Sequence, residues 1–129
     1  MTPTFDFATL QQALDALVTG DHHAATRRFS EDVVVTGVGG CLSGRILGLT
    51  PVLDRFAEMS RLTHGTFGTE VSAVYRGAQG RTVVVARHWA LLDGAELRAT
   101  QALVMDTESE RIRAIDILSG PGPRSGVWD

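Results

Sequence analysis

A chain of 129 residues, 43% hydrophobic and 21% charged, has the size and composition of one globular domain and leaves no room for a second. Its net charge of −3 excludes a general attraction to phosphate backbones or anionic lipid, so neither nucleic acid nor a membrane is expected as a partner. All 12 basic residues are arginine, which removes lysine Schiff-base chemistry and the lysine of a phosphate-binding loop.

The N-terminal stretch "MTPTFDFATLQQ" has neither a basic start nor a long apolar run, so a cytoplasmic protein is expected. The single cysteine, Cys41, cannot form an intramolecular disulfide and belongs to no Cys/His pattern. It reads as a small structural residue. No His-x-His, Glu-x-x-His or related spacing occurs, so neither a metal nor another cofactor is expected.

Phe7, Leu10, Leu14, Leu17 and Val18 recur at helical spacing after Asp6, a capping residue, and before Gly20, a stop. Asp21 caps a second, short helix, "HHAATRRF", with Ala25 and Phe29 facing inward and His22 and His23 on a solvated face. "DVVVTGV" is a strand closed by Gly39 and Gly40, and "SGRILG" belongs to a turn. Thr50 and Pro51 then form the N-cap and first turn of a third helix, along which Val52, Leu53, Phe56 and Met59 make an apolar stripe.

The second half changes character. "GTFGTEVSAVYR", "RTVVVARHWALL", "ELRATQALVMD" and "RIRAIDILS" are β-rich and separated by the turn-like "GAQG", "DGA" and "TESE", which together predict an antiparallel meander. Residues 1–119 thus read as a single α+β domain with helices on one face of a sheet, and 120–129, "GPGPRSGVWD", as a Gly/Pro-rich tail anchored through Val127 and Trp128.

The polar residues of the meander carry the functional signal. With Asp93 and Gly94 as the central turn residues, His88 stands opposite Ala99 and Gln101 opposite Ala86, so both polar residues share one face with Val84, Ala86, Ala90, Leu97, Ala99 and Leu103. Arg87, Trp89, Arg98 and Thr100 take the other. A four-residue loop from Thr107 to Glu110 would place Asp116 opposite Gln101, with Ala114 and Leu118 on the same side. His88, Gln101 and Asp116 then converge among small side chains, which is the composition of a small-molecule pocket. In it Asp116 would favour the imidazolium of His88 and orient it for proton transfer, and Gln101 would donate to a carbonyl or enolate oxygen. The pocket is expected to be lined by Ala86, Ala90, Ala99, Leu103, Ala114, Phe56 and Met59.

The order of elements resembles the nuclear transport factor two-like fold, and within it the small polyketide-cyclase-like (SnoaL-like) and ketosteroid-isomerase-like proteins. The resemblance is carried by "DALVTGDHHAATRRFSEDVVV", by "GLTPVLDRF" and by "ERIRAIDIL", and it spans almost the whole chain. It implies a cone-shaped α+β barrel in which three N-terminal helices pack on a curved, mainly antiparallel sheet, commonly dimeric through the outer sheet face. It also implies cofactor-independent acid/base chemistry on a hydrophobic small molecule, as in a polyketide-like or terpenoid cyclase or isomerase. The residues read above as converging would serve it, His88 as the acid/base, Asp116, shifted from the family's acidic position, as its partner or the base, and Gln101 as the oxygen donor.

The matching positions differ in detail. The isomerases' aspartate base falls at about Gly37, beside Thr36, and their oxyanion-holding acid at about Gln101. An epoxide hydrolase or epoxide-opening cyclase would need an Asp-Arg-Asp set, of which Asp116 is the member present. A non-catalytic ligand-binding or dimeric interaction module of the same fold is the further alternative.

Overall fold

The structure, a computed structural model, describes residues 5–37 and 44–119. Cys41, Gly39, Gly40 and the 120–129 tail with Val127 and Trp128 lie outside them. Helix α1 spans Phe7–Thr19, α2 His22–Arg28 and α3 Leu49–Leu62; the strands are β1 Phe29–Gly37, β2 Gly44–Leu47, β3 Gly68–Arg76, β4 Arg81–Leu92, β5 Ala95–Glu108 and β6 Arg111–Ser119.

The helix ends follow from side-chain chemistry. Asp6 accepts from the Thr9 amide at 2.7 Å and Asp21 from the Ala24 amide at 3.0 Å, each satisfying an amide that has no partner within its helix. Gly20, at φ 74°, closes α1 with its amide and the next one turned back onto Leu17 and Ala16. Helix α3 begins one residue before the expected Thr50 cap. Gly48, at φ 97°, stands at the cap position, and its carbonyl accepts from the Val52 amide.

The six strands form one sheet in the order β2-β1-β6-β5-β4-β3. Every neighbouring pair is antiparallel except β1 and β6, which run parallel. "GRIL", expected as turn, is the edge strand β2, with Ile46 turned into the core. The helices cover one face. Leu10, Leu14 and Leu17 of α1 and Val52, Phe56 and Met59 of α3 pack with Val33 and Val35 of β1, Val84 of β4, Leu103 and Met105 of β5 and Ile115 and Ile117 of β6.

The other edge, β3, is held by a side chain. Gln11 of α1 donates from Nε2 to the Thr69 carbonyl at 3.0 Å and accepts at Oε1 from the Val71 amide at 2.7 Å. One amide therefore occupies the place of a neighbouring strand and covers edge groups that would otherwise invite pairing.

Candidate functional site

The hairpin between β4 and β5 turns at Asp93 and Gly94, both at positive φ, the geometry that matches strand twist in a two-residue turn. The register that follows sets His88 opposite Ala99 and Ala86 opposite Gln101. Both polar residues lie on the helix-covered face, beside buried Ala86, Ala90, Ala99 and Leu103. Phe67, which precedes β3, stacks on the imidazole with centroids 5.9 Å apart and planes 14° apart, and itself meets Phe56 of α3 at 6.2 Å. Phe56 and Met59 are buried in the same core.

Asp116 does not join them. It pairs with Val104 of β5 and Thr36 of β1, and its side chain is exposed on the outer face. Ala114, opposite Asp106, lies outside with it, so neither residue takes the inward position expected of it. The cause is a single extra residue. The turn is the two-residue Ser109-Glu110, tighter than the expected loop, and a bulge at Arg113 then shifts the register between Thr107/Ile112 and Asp106/Ala114. Shortening the loop by two residues preserves side-chain parity, but the added residue reverses it and turns Ile115 and Ile117 inward in place of Asp116.

A second bulge acts alike on β3. Ser72 is the extra residue between Val71, opposite Ala86, and Ala73, opposite Val85. It places Thr69 opposite His88; the uninterrupted register would have set Glu70 there. Glu70 instead pairs with Arg87 on the outer face. Thr69 is the site residue that the sequence reading missed, and the only signal for it is this register.

The electrostatic result is a neutral cluster. Both imidazole nitrogens of His88 and the hydroxyl of Thr69 are buried without a hydrogen-bond partner among the described residues. Unpaired polar groups of this kind typically cost ~1–3 kcal/mol each. Burial lowers the His88 pKa from 6.5 to about 4, an effect opposed in part by the Gln101 side chain, which stands near the ring without meeting it in hydrogen-bond geometry. His88 is therefore neutral at physiological pH, in contrast to the imidazolium expected with Asp116 beside it. A neutral ring carries one N–H and one bare nitrogen, so it can donate and accept at once.

The outer face differs in character. Trp89 lies across Gly68, and a groove of ≈ 360 Å³ is lined by Glu70, Arg87, Trp89, Arg98 and Thr100, with His88 and Ala99 also contributing to its wall. Val83, Val85, Ala102 and Val104 continue it as a half-buried apolar strip. Among the described residues, no three His, Cys, Asp or Glu side chains are grouped to hold a metal ion, and no helix is long and apolar enough to cross a membrane.

No family model and no curated protein matches the chain by sequence. Solved structures do match in fold. Bal32a, from a soil-derived mobile gene cassette, superposes with a TM-score of 0.76 at 22% identity over 85% of each chain. An NTF2-like protein from Anabaena variabilis gives 0.67 at 20% identity over 100% of this chain and 99% of its own. A Sinorhizobium meliloti protein proposed to be a polyketide cyclase gives 0.63 at 19% identity over 82% of this chain and 89% of its own. Helix order, sheet order and these superpositions agree on one architecture: the chain has the NTF2-like fold, shared with polyketide-cyclase-like and ketosteroid-isomerase-like proteins.

Proposed function

We propose that the face around His88 binds a hydrophobic small molecule and acts on it by cofactor-independent acid/base catalysis, as a cyclase or isomerase of polyketide-like or terpenoid compounds. The observation that carries this reading is the imidazole itself, buried among aromatic and alanine side chains with both nitrogens unpaired among the described residues. A fold that leaves such a group unsatisfied gives a ligand a reason to bind there. The similarity in fold to a protein proposed to be a polyketide cyclase supports the substrate class.

In this reading the bare nitrogen of His88 accepts a proton from carbon beside a ligand carbonyl, while Gln101 donates from its amide to the oxygen that gains charge. The imidazolium so formed is disfavoured by burial and persists only while the enolate lies next to it. Return of the proton to a different carbon, with the double bond shifting in the opposite sense, completes an isomerisation. Epoxide opening has less support, because no carboxylate faces this cluster from the strands among the described residues.

Hydrogen–deuterium exchange of 2-tetralone in D₂O, followed by proton NMR, tests the chemistry. The wild-type protein is expected to accelerate exchange at the carbons flanking the carbonyl, and folded His88→Gln to lose that acceleration. Equal rates for the two proteins would defeat the reading.

We also propose that the outer sheet face pairs with a second copy of the chain. Tyr75 is 61% exposed, Trp89 40% and Leu118 50%. The groove's margin carries both signs, Arg87 with Glu70 and Arg98 with Glu96, so the patch can complement itself under twofold symmetry. Sedimentation velocity should find a dimer in the wild type and a monomer in Val104→Arg; a wild-type monomer at all concentrations tested would exclude the pairing.

A further inference from the structure

Resting on the reading of the His88 cluster as a ligand site, we propose that Thr69 and His88 together seat one uncharged hydroxyl group of the ligand, an alcohol, phenol or enol. The two residues are directly opposed across β3 and β4 on the helix-covered face. Opposed residues of antiparallel strands hold their Cβ atoms ~4.5–5.5 Å apart, close enough for one oxygen to reach both side chains. Yet they do not bond each other, and among the described residues the Thr69 hydroxyl and both ring nitrogens have no hydrogen-bond partner.

The donor and acceptor inventory selects the group. Thr69 and the neutral imidazole each offer one hydrogen and one or more lone pairs. A ligand hydroxyl accepts from one and donates to the other. The distinguishing arrangement is the one in which the hydroxyl accepts from Thr69 and donates to the bare ring nitrogen. A ketone or ether oxygen can take the Thr69 hydrogen but gives none to that nitrogen, which only a hydroxyl pairs while no carbon proton is being taken up. A carboxylate brings a charge to a surface whose neighbouring side chains, Val71, Ala86, Ala99 and Gln101, carry none to offset it. Thr69 is thus a specificity-determining contact, aimed at the hydroxyl and not at the hydrophobic body of the ligand.

Calorimetric titration at pH 7 with 2-naphthol, naphthalene and 2-naphthoate, against wild type, Thr69→Val and Thr69→Ser, tests the assignment. Wild type is expected to bind 2-naphthol about tenfold more tightly than naphthalene, the scale of one or two neutral hydrogen bonds, and 2-naphthoate least well. Thr69→Val should lower 2-naphthol affinity about five- to tenfold, leave naphthalene unchanged and keep or raise the wild-type Tm, because a methyl replaces an unpaired hydroxyl. Thr69→Ser should retain the preference.

If all three probes bind but Thr69→Val is silent, or 2-naphthoate binds best, the hydroxyl seat is wrong while the ligand site stands. If no probe binds the wild type, the site reading falls and this inference with it. Should Thr69→Val not fold, the imidazole ¹⁵N shifts of His88 in the wild type decide: 2-naphthol must move them and naphthalene must not, and the reverse overturns the proposal.

Discussion

The imidazole of His88 lies stacked on the ring of Phe67, with centroids 5.9 Å apart and planes 14° apart, and no carboxylate faces it from the adjoining strands among the described residues. Stacking against an aromatic ring within a core supplies contact area but little compensation for charge. The ring is therefore held in its neutral form by its surroundings, and that has a consequence for stability.

Burial sets the His88 pKa at about 4, against 6.5 for the free side chain, so below pH 6.5 the unfolded chain binds a proton that the folded one refuses. The His88 contribution is fully present above pH 6.5, declines as pH falls and levels off once the folded pKa has been passed. The expected loss between pH 7 and pH 4 is on the order of 2–3 kcal/mol. Urea unfolding across that range should show a steeper decline for wild type than for His88→Leu, which has no proton to bind; parallel curves would show that the ring is not held neutral.

Asp116 is the opposite case. Its side chain is exposed on the outer face, opposite Val104. Asp116→Asn should shift unfolding free energy by no more than about 0.5 kcal/mol, as for most exposed sites, and leave 2-tetralone exchange at the wild-type rate. A large loss of exchange in a folded Asp116→Asn protein would mean that the residue reaches the reaction after all.

What was legible in the sequence depended on whether a turn could be typed. Asp93-Gly94 fixed the register of β4 against β5, and so the shared face of His88 and Gln101 could be read before any coordinates. Nothing in "TESERIRAID" marks Arg113 as an added residue, and nothing in "TEVSAVYR" marks Ser72, since a bulge arises from how neighbouring strands twist and pack. Each bulge reverses side-chain parity. Together they direct Asp116 and Glu70 outward and Thr69 inward, so the neutral character of the site could not be read from residue types. The strand "GRIL" was missed for a different reason: four residues, the first of them a glycine, are too few to display alternation.

Gln11 shows the same dependence on tertiary placement. On a helix face its amide looks dispensable, but it donates to the Thr69 carbonyl and accepts from the Val71 amide at the bulged edge of β3. Gln11→Ala should cost about 1–2 kcal/mol by removing these two hydrogen bonds, along with an exposed third from Nε2 to the Asp15 carboxylate that contributes little. Gln11→Glu should not restore the loss, because a carboxylate cannot donate to the Thr69 carbonyl. Faster amide exchange at Val71 in both variants would locate the effect at that edge, whereas unchanged exchange would place any lost stability elsewhere.

Gly68 faces Trp89 across β3 and β4, and a Cβ built on it would overlap the indole ring. The glycine is needed here for close approach: its bare backbone forms the floor on which the ring lies, an arrangement that shields an exposed strand end. Because Trp89 is 40% exposed, the ring has room to swing outward when a methyl is added. Gly68→Ala is therefore expected to fold, to lose about 1–2 kcal/mol of stability and to shift Trp89 emission to longer wavelength as the ring enters water. The same displacement disturbs the outer groove, so the variant should also weaken self-association without altering 2-naphthol binding on the opposite face. Unchanged emission would show that the indole does not rest on Gly68.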